Sequence, residues 1–377
     1  MRTNAGTSAA NASGLPKDVS PTARLYLRPV GLGSGRAACG LPLAGGRLAF
    51  PACEVIIRDR GLIDRIETPV EKIMAWAEMV GDPVRQRIAT LIERLTAMRV
   101  DFAERPMTRP LMMGIVNVTP DSFSDGGEFY SPEAAIVHAQ ELAAAGADIL
   151  DIGGESTRPT ATPVATPDEL KRVLPVIEAL AATPAGTERP ALSIDTRHAD
   201  VMAAALTAGA VIVNDITALT GDPRSLAVAG AAQAVVLMHM RGEPRTMNEN
   251  PVYDDVVLDV YDFLEDRVDA CVAAGIDRRR LIIDPGIGFG KKGRHNLKIL
   301  RSLALYHGIG CPLLLGVSRK GLTGAHDREY TPKQRLPGSL AAVLAAFERG
   351  AQLFRVHDVA ATRQAVAVWE ALTRDEG

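Results

Sequence analysis

At 377 residues and 47% hydrophobic, the chain is long enough for one large core with a small appendage. A net charge of −3 gives no field that would draw it to nucleic acid or to an anionic membrane, and 4% aromatic residues is too few for a base-stacking surface. Cys39, Cys53, Cys271 and Cys311 share no short spacing, which argues against a zinc site or a disulfide framework and leaves them as reduced structural thiols.

Residues 1–22 are rich in Ala, Ser, Asn, Thr and Pro and read as a disordered tail, with no apolar stretch that would serve as a signal-peptide core. No apolar run of about 18 residues occurs elsewhere, so a membrane span is not expected and a cytoplasmic location is. Residues 23–107 read as an N-terminal extension, a small α/β appendage. Short apolar pieces at Leu48–Phe50 and Val55–Ile57 precede helical patterns near Val70–Met79 and Val84–Met98. No chemical motif lies there, and a packing or oligomer-stabilising role is the expectation.

Residues 108–377 are rhythmic. Apolar strand-like runs at Leu111–Val118, Asp148–Ile152, Ala191–Ile194, Val211–Val213, Ala234–Met238, Leu281–Ile283, Pro312–Val317 and Gln352–Val356 alternate with amphipathic helical stretches. Ser131-Pro132-Glu133 predicts a capped helix start, and Gly146 its close. Eight βα units fit a closed (β/α)8 TIM barrel better than an open doubly wound sheet.

Nearly every strand ends in polar residues at its C-terminal side: Asn117; Asp151 and Glu155; Asp195; Asn214-Asp215; His239; Asp284; Ser318-Arg319-Lys320; and Arg355, His357 and Asp358. Barrel active sites are assembled on that face from several strands. Any one of these residues has a capping role as a fair alternative; capping does not explain all eight strands together. Arg158, Lys320, Arg355 and His357 suit a phosphate or pyrophosphate, and Asn117 offers a carbonyl oxygen to Mg2+, which takes few protein ligands. Pairing of Arg158 and Arg355 with Glu155 or Asp358 is the bland alternative. Asp195, Asn214 and Asp284, with Lys320 beside them, suit a planar nitrogen heterocycle that supplies N–H donors, the alternative being an internal Asp284–Lys320 bridge. Two loops, Thr119–Gly127 and Gly153–Pro159, have the glycine, hydroxyl and proline content of mobile covers, while Gly286–Lys291 is only a weak match to a phosphate loop.

The stretches GIVNVTPDSFSDGG (Gly114–Gly127), DIGGESTRP (Asp151–Pro159), SIDT (Ser193–Thr196), NDI (Asn214–Ile216), LMHMRG (Leu237–Gly242), DPGIGFGK (Asp284–Lys291), SRK (Ser318–Lys320) and RVHD (Arg355–Asp358) resemble, in order, those of the dihydropteroate synthase family. The resemblance covers about residues 108–375. It implies a folate-pathway transferase that joins p-aminobenzoate to 6-hydroxymethyl-7,8-dihydropterin pyrophosphate, giving 7,8-dihydropteroate and pyrophosphate. Asn117 would help hold Mg2+. Asp195, Asn214, Asp284 and Lys320 would meet the pterin; Thr157, Arg158, Arg355 and His357 the pyrophosphate; and Phe123, Ser156, Thr157, Pro159, Phe289, Ser318 and Lys320 the p-aminobenzoate, where sulfonamides bind in this family. Asp195, Lys320, Arg355 and His357 are the expected catalytic groups, and a homodimer is implied.

Three departures bear on loop shape and drug response: Thr160 stands where the family usually has Gly, Lys292 where it has Thr, and Gly321-Leu322 where it has Ser-Phe. Two other readings share the barrel: a methyltransferase that binds pterin or methyltetrahydrofolate, and a non-catalytic pterin-binding paralogue. Lys320 and the Arg355/His357 pair favour the synthase, because the methyltransferase needs no diphosphate site.

Overall fold

Period-two geometry sorts the first strand between two cores. The computed structural model describes residues 14–119, 131–156, 162–182, 189–247, 249–323 and 330–373. In β1 (Arg24–Val30), Leu25 and Leu27 pack into the core of the N-terminal unit, while Tyr26 points the other way into the barrel's helical layer. Leu41–Pro42 (β2) and Ala49–Phe50 (β3) pair with each other, and β4 (Ala52–Asp59) lies antiparallel between β1 and β5 (Leu62–Pro69). β4 repeats the sorting, with Val55 and Ile57 on one face and Ile56 on the other. Helices α1 (Val70–Val80) and α2 (Asp82–Thr96) cover the sheet through Trp76, Ile73, Ile88 and Leu91. Of the expected tail over residues 1–22, residues 1–13 lie outside the described residues, while Leu15 is fully buried and Trp76 Nε1 donates to the Pro16 carbonyl at 2.7 Å.

After a turn around Phe102, eight βα units follow. They are β6 (Leu111–Asn117) and α3 (Pro132–Ala144); β7 (Ile149–Gly153) and α4 (Thr166–Ala182); β8 (Ala191–Asp195) and α5 (Ala199–Ala208); β9 (Ile212–Asp215) and α6 (Ser225–Ala229); β10 (Ala234–Met238) and α7 (Val256–Ala273); β11 (Leu281–Asp284) and α8 (Gly293–Arg301); β12 (Leu314–Leu315) and α9 (Leu336–Phe347); and β13 (Leu353–Val356) and α10 (Val359–Thr373). All neighbouring strands are parallel, and a parallel bridge from Ile283 to Leu313 joins β11 to β12 and closes the ring as a (β/α)8 barrel. Ser131 caps α3 through Ala134 N, and Gly146 closes the turn beyond it at φ +91°. β12 is shorter than the Pro312–Val317 apolar run because Pro312 has no N–H and the Leu313 N–H bonds the Gln352 side chain at 2.8 Å.

The N-terminal sheet sits against α7. Asp255, Asp259, Asp262 and Glu265 meet Arg65 (2.7 Å), Arg58 (2.7 Å), Arg24 (2.7 Å) and the Arg87–Arg94 pair (both 3.0 Å). Tyr26 adds a hydrogen bond to Asp262 at 2.8 Å and an edge-on contact with Tyr261. Among the described residues, no helix is long and apolar enough to cross a membrane.

Inside the barrel, Leu111, Ile149, Ala191, Ile212, Ala234, Ile282, Leu314 and Leu353 give one floor residue per strand, with Phe102 packed beneath. Side chains two, four or six positions further along each strand share that inward direction. From the floor upward, this parity delivers Asp151, Ser193, Asn214, Asp284, Gly316 and Arg355, then Asn117, Asp195, Ser318 and His357. The same rule turns Asp215 outward, where it accepts from Thr217 N (2.7 Å) and Leu219 N (2.9 Å) as a turn-former.

Candidate active site

Strand register sets the rim. Asn117 lies beside Gly153, Gly153 beside Asp195, and Asp195 beside Asn214, while Asp284 lies beside Met238. Across this ring reaches Arg355 of β13, whose Nε donates to Asp151 Oδ2 at 2.6 Å and whose Nη2 donates to Asp195 Oδ2 at 2.6 Å. Asp151 Oδ2 also accepts from Asn214 Nδ2 at 3.0 Å. Burial works against the Arg355 charge, but the carboxylates of Asp151 and Asp195 more than restore it, and its pKa is raised. Burial likewise pushes the Asp195 carboxyl well above the usual range, with Arg355 opposing the rise.

Asp284 completes the polar mouth. It is 5% exposed, its carboxyl is raised by burial with Lys320 opposing, and its Oδ1 accepts from Gly286 N at 2.7 Å. Gly316 marks where the groups converge: a Cβ there would lie 3.8 Å from Lys320 Nζ and 3.9 Å from both Asp284 Oδ2 and the Arg355 Cβ. A side chain at 316 would intrude among these groups, and glycine leaves the space open. Burial lowers the Lys320 ammonium to about 8, with Asp284 opposing. Its Nζ donates to the Ile287 carbonyl and stands 4.6 Å from the centre of the Phe289 ring, a cation–π contact.

The loop after β11 is held from below by Lys291, which is 4% exposed. Its Nζ contacts His239 Nδ1 at 2.8 Å and donates to the carbonyls of Gly286 (2.9 Å), Phe289 (3.0 Å) and His239 (3.2 Å). Burial lowers both the Lys291 and the His239 pKa. Gly286, at φ +67°, is required here, because a Cβ would fall 1.9 Å from the His239 carbonyl oxygen. After β12, Ser318 Oγ takes the His357 N–H at 3.2 Å and lies 3.0 Å from His357 Nδ1. Arg319 forks onto Asp358 at 2.6 and 3.0 Å, tying the seventh loop to the eighth.

Of the residues expected from sequence, the fold brings Asn117, Asp195, Asn214, Asp284, Phe289, Ser318, Lys320, Arg355 and His357 to one end of the barrel, with half-buried Ser156 just beyond β7. Phe123, Thr157, Arg158 and Pro159, with departure Thr160, lie outside the described residues. The bland pairings are resolved differently: Glu155 pairs with Arg197 at 2.9 Å and Asp358 with Arg319, whereas Arg355 takes Asp151 and Asp195. The weak likeness of Gly286–Lys291 to a phosphate loop fails, because its lysine turns inward onto carbonyls and an imidazole. Sequence reasoning named Asp151 without a role and missed the Lys291 hub; strand parity from Ile149 would have marked Asp151 as inward. Of the four thiols, all are free and three are buried, but Cys39 is exposed rather than packed.

The buried carboxylate and amide slot crossed by cations lies at the C-terminal mouth of a (β/α)8 barrel, and residues 113–357, which contain it, match the family model described as pterin binding enzyme. Dihydropteroate synthase of Haemophilus influenzae is 45% identical over 263 residues, which span 70% of this chain and 94% of that one. The crystal structure of Yersinia pestis dihydropteroate synthase with a sulfonamide drug is similar at TM-score 0.67 and 45% identity, covering 71% of this chain and 95% of its own. The Xanthomonas albilineans enzyme with 4-aminobenzoic acid gives TM-score 0.65 and 50% identity, and with 7,8-dihydropteroate 0.62 and 48%, each covering 71% of this chain and 94% of the other. The chain belongs to the dihydropteroate synthase family of pterin-binding enzymes. It is accordingly a transferase of folate biosynthesis.

Proposed function

We propose that the ring around Arg355 is where 6-hydroxymethyl-7,8-dihydropterin pyrophosphate and p-aminobenzoate condense. The single observation that carries this is the meeting of Asp195, Asn214, Asp284 and Lys320 with Arg355 at one mouth. The pterin's amino group and ring N–H groups satisfy the carboxylates and the Asn214 carbonyl, and Lys320 donates to a ring acceptor. Phe289, Ser318 and Ser156, with Phe123, Thr157 and Pro159, form the p-aminobenzoate side.

Substitution at the exocyclic methylene breaks the carbon–oxygen bond to pyrophosphate and forms a carbon–nitrogen bond to the arylamine. Negative charge accumulates on the departing oxygens, where Arg158, His357 and Arg355 stabilise it. Two carboxylates already match the Arg355 charge, so Arg158 and His357 supply much of the remainder. The Asp195 and Asp284 carboxylates favour the positive charge that spreads over the pterin as the bond breaks. The arylamine is unprotonated at neutral pH, so attack needs no strong base, and its proton leaves to water or pyrophosphate.

Mg2+ fits this donor set. Among the described residues no three His, Cys, Asp or Glu side chains gather as a protein-only cage, and Asn117 presents one neutral oxygen to an ion otherwise held by water and phosphate. Held there by Asn117, the ion would supply charge to the leaving pyrophosphate. The resemblance also supports a cytoplasmic homodimer, which sedimentation of the purified chain tests. For the reaction, pyrophosphate release should require the pterin pyrophosphate, p-aminobenzoate and Mg2+ together. Release at full rate without p-aminobenzoate would contradict the proposal.

A further inference from the structure

Asp151 is fully buried on β7, in the layer beneath Asp195. Its Oδ2 accepts from the Asn214 amide at 3.0 Å and from Arg355 Nε at 2.6 Å, while its Oδ1 is buried with no hydrogen-bond partner among the described residues. A carboxylate paired with a guanidinium only accepts hydrogen bonds, so it dictates which end of an amide faces it. The Asn214 NH2 must turn to Asp151, and the carbonyl oxygen is directed elsewhere. Arg355 is fixed by the same oxygen. It reaches from β13 to β7 and β8, and two carboxylates on adjacent strands hold its fork in one plane.

We propose that Asp151 is a positioning residue for the pterin, setting Asn214 to present its acceptor to the ring and holding Arg355 level with Asp195. This rests on the assignment of the pterin to the Asp195–Asn214–Asp284 slot. An amide at 151 fails either way it turns: with its carbonyl toward Asn214 and Arg355 it withdraws one of the two carboxylate charges matching Arg355 and buries an NH2 where Oδ1 has no partner, and with its NH2 toward them it sets donor against donor. Groups that orient metal ligands typically alter affinity or activity about 10- to 100-fold when removed, and a loss of the same order is expected for a group that orients Asn214 and Arg355.

The test is calorimetric binding of the pterin pyrophosphate to the full chain with Mg2+, combined with steady-state kinetics. Asp151→Asn is expected to weaken pterin pyrophosphate binding about 10- to 100-fold. The KM for p-aminobenzoate should stay within about twofold, because no p-aminobenzoate contact passes through Asp151. Asn214→Ala should weaken pterin binding too, and the double variant should be less impaired than the product of the two single effects, since both act through one orientation. A purely structural role would instead move both substrates together and multiply across the two variants. Should Asp151→Asn fail to fold, Asp151→Glu keeps the charge and shifts its reach, and the same pterin-selective loss is expected. Unchanged pterin affinity in the variant that folds, or strict multiplication with Asn214→Ala, overturns the positioning role. If the unmodified chain itself binds no pterin, the slot assignment falls with it.

Discussion

Lys320 sits in the mouth as a cation that burial holds close to losing its proton. Its ammonium is lowered to about 8, so the charge is present below that pH and disappears as pH rises through it. A free-enzyme group of this kind shows in kcat/KM. The kcat/KM for pterin pyrophosphate should therefore fall tenfold per pH unit well above 8, apart from any change in the substrate itself. Lys320→Arg should move that limb upward, since a guanidinium stays charged throughout the range, even if the replacement lowers the plateau. A pH profile that is the same in both enzymes would separate Lys320 from pterin binding. Asn214 and Asp215 show how finely one position matters: the first points inward to Asp151, and the second, one residue on, is used up in the turn around Thr217.

At the scale of elements, the loop from Gly286 to Lys291 is a pedestal. It presents the Ile287 carbonyl and the Phe289 ring to Lys320 and is anchored to the end of β10 through Lys291 and His239. Gly286→Ala would combine a left-handed φ with a Cβ 1.9 Å from a backbone oxygen. Strain of this kind costs on the order of 1–3 kcal/mol where the backbone persists. The expected result is a lower unfolding midpoint together with a higher p-aminobenzoate KM; a KM equal to the unmodified enzyme's would free Phe289 from that role. The eight strands and their polar ends were legible because apolar runs, glycines and turn residues recur at a regular interval. β5 was not, because its sequence LIDRIETP is mostly exposed, breaks its apolar residues with Asp64, Arg65 and Glu67, and lacks a two-sided apolar pattern. Lys291 was hidden for a related reason: nothing local shows that a lysine in a glycine-rich loop will turn inward, and only the approach of His239 from another strand decides it. At Lys292, the departure removes the hydroxyl that Thr would offer to the first N–H groups of α8, while the Lys292 N–H donates to His295 Nδ1 at 3.3 Å.

The chain is longer than the Haemophilus enzyme it resembles: the match spans 94% of that chain but 70% of this one, so most of the N-terminal unit is additional to it. The helical patterns in that unit were readable, yet its docking depends on a stripe at Asp255, Asp259 and Asp262 on α7 whose partners lie about two hundred positions away in sequence. Glu265 is 7% exposed and shared by Arg87 and Arg94. Removing one side of a buried ionic cluster strands the other, at about 3–5 kcal/mol. Arg87 and Arg94 keep 29% and 21% of their side-chain exposure, so Glu265→Gln should destabilise the fold by less than that, about 1–3 kcal/mol. Trp76 in the N-terminal unit and Trp369 in α10 should still report one coincident denaturant transition, because Tyr26 and Ile56 are part of the barrel's own core. Separate transitions for the two tryptophans would show two independent units.

The central claim is that side chains from different strands form one pterin slot, and a crystal structure of the chain with 7,8-dihydropteroate tests it most directly. The account predicts the pterin ring in contact with Asp195, Asn214, Asp284 and Lys320, and the benzoate end beside Phe289 and Ser318. Product bound elsewhere on the molecule, with Arg355 still locked between Asp151 and Asp195 above an empty mouth, would contradict it.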